Sequence, residues 1–273
     1  MAPFPPSLCW PDGSLGPRSA CFQHRGAGPD SNRQDQAHAH SVTLSPDNRF
    51  VYVCDLGLDE IIIYMLGDSP SNLQRAPVPS GRVPGGHGPR HAKISNDGRF
   101  LYVLNELIGS ITVFARSITD GALSVLETVS TLPLDHVGFN NSSEIRLSPH
   151  GEHFVFAANR GPNSIASFLR DTTTGRLTPL QHISTAGDHP RNFALSPLIR
   201  RTDSSRLPPF LPRSPIPAAC SSRPPGYIKI SDAPTASKGR RFMRSLQTPV
   251  HGQPKYPRLA GGNPFHHRRS QIY

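Results

Sequence analysis

The chain has 273 residues and a formal charge of +10, a value that on its face invites nucleic-acid binding. Divided along the chain, residues 1–36 hold 3 Arg against 3 Asp, residues 37–197 hold 12 Lys/Arg against 14 Asp/Glu, and residues 198–273 hold 14 against 2, giving nets of 0, −2 and +12. The basic excess lies wholly in the C-terminal part, so the patterned region carries no cationic footprint for DNA or RNA, and the tail has too few aromatic residues to stack bases.

Residues 1–36 are rich in Pro, Gly and Ser without periodicity, and they read as a disordered or irregular segment. The start, Met-Ala-Pro-Phe-Pro-Pro-Ser, lacks the basic and apolar stretches of a secretion signal. The apolar run Ile61–Leu66 is far too short to span a bilayer, so no membrane role is expected. Cys9, Cys21, Cys54 and Cys220 form no CxxC pair and have no His at metal spacing, which argues against a zinc site and for a reduced, cytoplasmic protein.

From residue 37 the chain repeats. The turn residues Pro46, Asn96, Pro149 and Pro197 are separated by 50, 53 and 48 residues. Before each of them apolar residues alternate with polar ones: Val42 and Leu44, Ala92 and Ile94, Ile145 and Leu147, Phe193 and Leu195. A period of two predicts a half-buried strand in every copy. Asp47-Asn48, Asp97-Gly98 and His150-Gly151 then supply tight turns. Apolar second strands follow at 50–53, 100–103 and 154–157, and β-branched or aromatic third strands at 61–64, 111–114 and 165–168. Leu73, Leu123 and Leu177 mark a shorter fourth strand, 27, 27 and 28 residues after the turn residue.

Four antiparallel strands in about 50 residues, repeated in tandem, predict an all-β fold of β-propeller blades. Blades are expected over about residues 37–86, 87–138 and 139–187, with a fourth begun by a strand at 192–196. A partial propeller thus spans 37–197. After Pro197 the pattern stops inside a hairpin, and residues 198–273 are Pro-, Arg- and Ser-rich with nothing resembling a second strand. The expectation is a disordered basic tail, read out of frame or through a retained intron, with a genuine tail as the alternative.

In a propeller the inner strands line a central channel. The residues five places before each turn marker are Ser41, His91, Glu144 and Asn192; those six places before are His40, Arg90, Ser143 and Arg191. The second strand returns to the same rim and ends in Asp55, Asn105-Glu106 and Asn159-Arg160. One rim therefore gathers His91, Glu106, Glu144, Arg160 and Arg191 as a candidate site for a small anion, with Arg90 among the cations. Asp55, Asn105 and Asn159 read as turn ties, and Arg49 and Arg99 as solvated turn residues.

The strings GPRHAKISNDGRFLYVLNEL, SSEIRLSPHGEHFVFAANRGPNSI and DHPRNFALSP resemble the seven-bladed β-propeller lactonase family, which includes 6-phosphogluconolactonases and 3-carboxy-cis,cis-muconate lactonizing enzymes. The likeness covers roughly residues 37–197, so the chain resembles a truncated member. It implies a site free of metal and cofactor at the channel mouth, built on His91, Glu106, Glu144, Arg160 and Arg191, with a small anionic lactone or muconate as partner. The expected activity is hydrolysis of 6-phosphogluconolactone, with His91 as base, Glu106 or Glu144 orienting it or replacing it, and the arginines binding anions. Muconate cycloisomerisation uses the same residues; a non-catalytic binding platform is the third possibility. Asn96 departs from the family by replacing the usual Pro of the turn.

Overall fold

A computed structural model describes residues 14, 20–67, 72–196 and 228–231, and every regular element among them is a β-strand. Blade 1 contains β1 (Ala39–Leu44), β2 (Phe50–Asp55), β3 (Glu60–Leu66), β4 (Leu73–Arg75) and β5 (Gly81–Arg82). Blade 2 contains β6 (Pro89–Ile94), β7 (Phe100–Asn105), β8 (Ser110–Arg116) and β9 (Leu123–Ser130). Blade 3 contains β10 (Ser142–Leu147), β11 (Phe154–Asn159), β12 (Ser164–Arg170) and β13 (Leu177–Ser184). Each is an antiparallel meander in chain order, and the inner strands β1, β6, β10 and β14 (Asn192–Leu195) stand side by side. The chain is thus three propeller blades and the start of a fourth.

Two expectations need correcting. The fourth strand is not the short one in blades 2 and 3, where β9 and β13 run for eight residues each. In blade 1 it breaks into β4 and β5, both paired to β3, because Pro77 and Pro79 lie between them and cannot donate to a ladder. The second correction concerns the tail: β15 (Ile228–Ser231) pairs antiparallel with β14, so a second strand does follow, far along the chain from where the repeat would place it. The rest of the tail lies outside the described residues.

Residues 20–36 form no helix or strand, yet they are pinned. Phe22 packs against Val53, Ile62 and Tyr64 of blade 1. Gln34 is fully buried, and its amide donates to the Leu56 carbonyl at 2.8 Å.

Two apolar layers lie between blades. Phe50, Tyr52, Ile61 and Ile63 of blade 1 meet Ala92, Leu101, Val103 and Phe114 of blade 2. Tyr102, Leu104 and Val113 on the other face of blade 2 meet Ile145, Val155, Ala166 and Phe168 of blade 3. All six residues of β7 are buried, because both faces of that strand are covered.

Each layer is fastened by the same polar clamp. The Tyr52 hydroxyl donates to the Gly121 carbonyl at 2.9 Å and accepts from Arg116 Nε at 2.7 Å. One blade on, Tyr102 donates to Gly175 O at 2.9 Å and accepts from Arg170 Nε at 2.6 Å. The two arginines also lie over the rings of Phe50 and Phe100, at 5.4 and 5.7 Å from the centroids. Glycine is needed at 121 and 175: φ is +78° at both, and a Cβ would come within 2.5 Å of Phe50 and 2.3 Å of Phe100.

The turn residues also reach across blades. Arg49 and Arg99 are exposed but not merely solvated, since they donate to the carbonyls of Ile118 and Thr119 and of Thr172 in the next blade. Asn96 now has a reason to differ from Pro: its backbone N–H, which Pro lacks, donates to Glu152 of blade 3 at 2.9 Å.

Candidate active site

Three inner strands carry a β-bulge at one position. The pairing jumps past His40, Arg90 and Ser143, so each of these residues is left without a partner on the second strand. A bulge re-aims its side chain out of the regular alternation, and these three bring adjacent blades into contact. Arg90 Nη1 bonds to His40 Nε2, and Arg90 Nε donates to the Ser143 carbonyl at 2.8 Å. The Ser143 hydroxyl donates in turn to the Pro190 carbonyl at 2.6 Å, just before β14.

Above this chain of contacts sits Glu106, which follows β7. Its Oε2 accepts from Arg90 at 2.5 Å, and its Oε1 faces Arg33 at 2.6 Å and Arg160 at 3.1 Å. Burial alone would raise the carboxyl's pKa, but the Arg33 hydrogen bond and the charges of Arg90 and Arg160 outweigh it and hold it at about 2. Glu106 is therefore a permanent anion at neutral pH, closed in by guanidiniums. Arg160 Nε is fixed by the Asn141 carbonyl at 2.8 Å.

Beside it, regular alternation resumes and His91 and Glu144 meet: Nδ1 to Oε1 is 3.3 Å. The other Glu144 oxygen accepts from Asn192 at 2.7 Å and Arg146 at 3.3 Å. Burial pushes the Glu144 carboxyl up, and the bond to His91 with the nearby charges of His91, Arg146 and Lys93 brings it below the usual carboxylate range. The His40 ring lies edge-on to His91 with centroids 5.3 Å apart. Desolvation against the channel wall, then the charges of Arg90 and His91, push His40 down to about 4, so it is neutral at pH 7. With Arg90 donating to Nε2, the neutral ring carries its proton on Nδ1.

Of the six residues singled out in the sequence, Arg90, Glu106 and Arg160 form one cluster and His91 and Glu144 another, joined through His40. Arg191 stands apart: it is exposed, its charge acts on Arg90 and Arg160, and among the described residues no hydrogen bond or ion pair engages it. Glu106 does not orient His91; Glu144 does. Asp55, Asn105 and Asn159 are ties. Asp55 accepts from the backbone of His38 and Gly57 and meets His24 Nδ1 at 2.6 Å, Asn105 donates to Ser110 and Thr112, and Asn159 joins Thr131 and Ser142.

Three site residues escaped the sequence reading. Lys93 and Arg146 lie two places after His91 and Glu144 on the same strand faces, and the period of two alone would have found them. Arg33 comes from the segment that does not repeat, and no periodic signal marks it. Among the described residues there is no cluster of His, Cys, Asp and Glu able to hold a metal ion, and no helix long and apolar enough to cross a membrane.

Residues 9–200 match the family described as lactonase, 7-bladed beta-propeller. The chain belongs to that family. It is 34% identical over 179 residues to a 6-phosphogluconolactonase of Formosa agariphila, covering 64% of this chain and 50% of that protein. A 6-phosphogluconolactonase of Bacillus subtilis is 32% identical over 186 residues, covering 68% of this chain and 52% of its own. Among solved structures, a periplasmic gluconolactonase of Pseudomonas aeruginosa superposes with a TM-score of 0.64 at 36% identity, over 69% of this chain and 52% of that one. The chain spans about half the length of the curated relatives it matches.

Proposed function

We propose that this site opens a phosphorylated sugar δ-lactone, 6-phosphogluconolactone, by adding water. The observation that carries this reading is the juxtaposition of a His91–Glu144 pair with an arginine-rich cluster built on one buried carboxylate. Glu144 holds Nδ1 of His91, which leaves Nε2 to take a proton from water as its oxygen attacks the lactone carbonyl. The tetrahedral oxyanion is stabilised by Arg191, whose guanidinium has no described carboxylate partner. As the intermediate collapses, the bond from the carbonyl carbon to the ring oxygen breaks. The proton held by His91 passes to that oxygen, and one water has been consumed. Glu106 is assigned to positioning arginines, since a carboxyl with a pKa of about 2 does not take protons at neutral pH.

The names of the matched relatives favour the lactone over a muconate. Buried, unpaired Cys54 suits a reducing compartment and supports placing the protein in the cytoplasm. The test is lactone hydrolysis by the purified chain and by His91→Gln. The substitution is expected to lower kcat by about 10²–10⁴-fold with little change in KM; an unchanged kcat removes His91 from the mechanism, and absence of hydrolysis in both removes the lactonase reading.

A further inference from the structure

Glu106 binds three guanidiniums that are not equivalent. The Arg90 side chain is 6% exposed and the Arg160 side chain 10%, whereas Arg33 is 39% exposed. Arg90 is further fixed by His40 and the Ser143 carbonyl, and Arg160 by the carbonyls of Asn141 and Ser142. Apart from Glu106, Arg33 has only a 3.5 Å contact with Asn141 Oδ1. Two arginines belong to the wall and the third is held at its tip.

The backbone beneath Arg33 is firm. Asp30 accepts from the N–H groups of Arg33 and Gln34 at 3.1 and 2.6 Å, and Gly28 donates to the Gln34 carbonyl at 2.9 Å. Buried Gln34 spans from Asp30 N to Leu56 O. This stretch delivers a guanidinium to the mouth while leaving its end free to turn. The charges favour such a turn: Arg33, Arg90 and Arg160 share one carboxylate, and the charge of Arg191 is felt by Arg90 and Arg160, an excess that a phosphate monoester, mostly dianionic at neutral pH, would largely neutralise.

We propose that Arg33 determines specificity for phosphorylated substrates: it swings from Glu106 onto the phosphate of the bound sugar, so that the irregular N-terminal segment, not a blade, supplies phosphate recognition. This rests on the lactonase reading for the identity of the sugar. Planar bidentate geometry suits Arg here better than Lys.

The experiment is calorimetric titration of the full chain with 6-phosphogluconate and with gluconate, for wild type, Arg33→Gln and Arg33→Lys, with thermal unfolding to verify each fold. Wild type is expected to prefer the phosphorylated acid at least about tenfold, a difference well within one charge-assisted contact. In Arg33→Gln that preference should shrink to about threefold or less with gluconate binding unchanged, and Arg33→Lys should keep part of it. A preference untouched by Arg33→Gln, equal weakening of both ligands, or a wild type without preference overturns the assignment. Binding is scored apart from turnover: an intact preference lost on Arg33→Gln upholds Arg33 even if no lactone is hydrolysed, and hydrolysis with an unaltered preference overturns Arg33 alone.

Discussion

Blade 2 and blade 1 are built from nearly the same sequence pattern and end up in different surroundings. Ala92 of blade 2 and Ile145 of blade 3 are 2% and 0% exposed, while Val42 at the matching place in blade 1 is 54% exposed. The strand pattern is equally good in all three; what differs is the neighbour. Blade 2 lies between two sheets, whereas the outer face of blade 1 meets only Phe22 and nearby residues among those described. The clamp shows the same asymmetry. Arg116 and Arg170 end the third strands of blades 2 and 3 and reach back to a tyrosine, and the equivalent position in blade 1 is Leu66. In blade 3 the tyrosine position is held by Phe156, which has no hydroxyl to offer. The clamps thus occur where two described blades meet, and the sequence at the outer faces does not provide for them. Strand formation is a local property of this chain; stability of the blades is a property of pairs.

The largest test of that comparison removes a clamp. Arg170→Ala deletes a side chain that is 2% exposed, with its bond to Tyr102 and its contact with the Phe100 ring, and is expected to cost about 3 kcal/mol. Leu66→Ala, at the same place in blade 1 but half-buried, should cost about 1 kcal/mol. Urea unfolding of the two variants measures both, and equal losses would show that the blade 2–3 interface gains nothing particular from its arginine.

Acid is the next probe, because Glu106 joins blade 2 to blade 3 through Arg160 and to the N-terminal segment through Arg33. Its folded pKa of about 2 lies below the ordinary 4.5, so the folded state binds fewer protons than the unfolded chain between those values. The stabilisation is complete above about pH 4.5 and fades as pH falls towards 2, amounting to roughly 3 kcal/mol. Glu106→Gln should flatten this part of the stability profile while lowering stability at pH 7, since three arginines lose their shared anion. His40, pushed down to about 4, adds a loss of the same sign between about pH 6.5 and 4, which His40→Gln would remove.

How much of this was legible beforehand depends on the distance over which each signal acts. The blades were, because alternation, turn residues and the spacing of Pro46, Asn96 and Pro149 are all local and recur. The rim positions of His91, Glu106 and Glu144 followed from strand direction. Their division into a histidine pair and an arginine cluster did not, because it depends on bulges at His40, Arg90 and Ser143 that interrupt the alternation. Arg33 and the clamps were illegible for a simpler reason: their partners lie 73, 64 and 68 residues away, and no pattern within one repeat records such a contact. The break of the fourth strand in blade 1 was missed although Pro77 and Pro79 mark it, and the strand at Ile228–Ser231 was hidden by its surroundings of Pro and Arg.

The smallest effect concerns Asn96, the residue that departs from the family's turn. Blade 3 differs at the facing place, where Glu152 follows Gly151 in a turn one residue longer, and the Asn96 N–H meets its carboxylate at 2.9 Å. Proline at 96 fits the turn, as Pro46 and Pro149 show at the matching positions, so the backbone conformation is not what Asn96→Pro would test. It removes one donor to a charged acceptor that stays close to Arg170, at 3.8 Å. The expected loss is about 1 kcal/mol, offset in part by the stiffer unfolded chain. Glu152→Gln should then cost less in the Asn96→Pro background than alone, and a double-mutant cycle reads the difference directly. A coupling of zero would mean that the N–H is satisfied elsewhere, and the match between this turn and its neighbour blade would be a matter of shape alone.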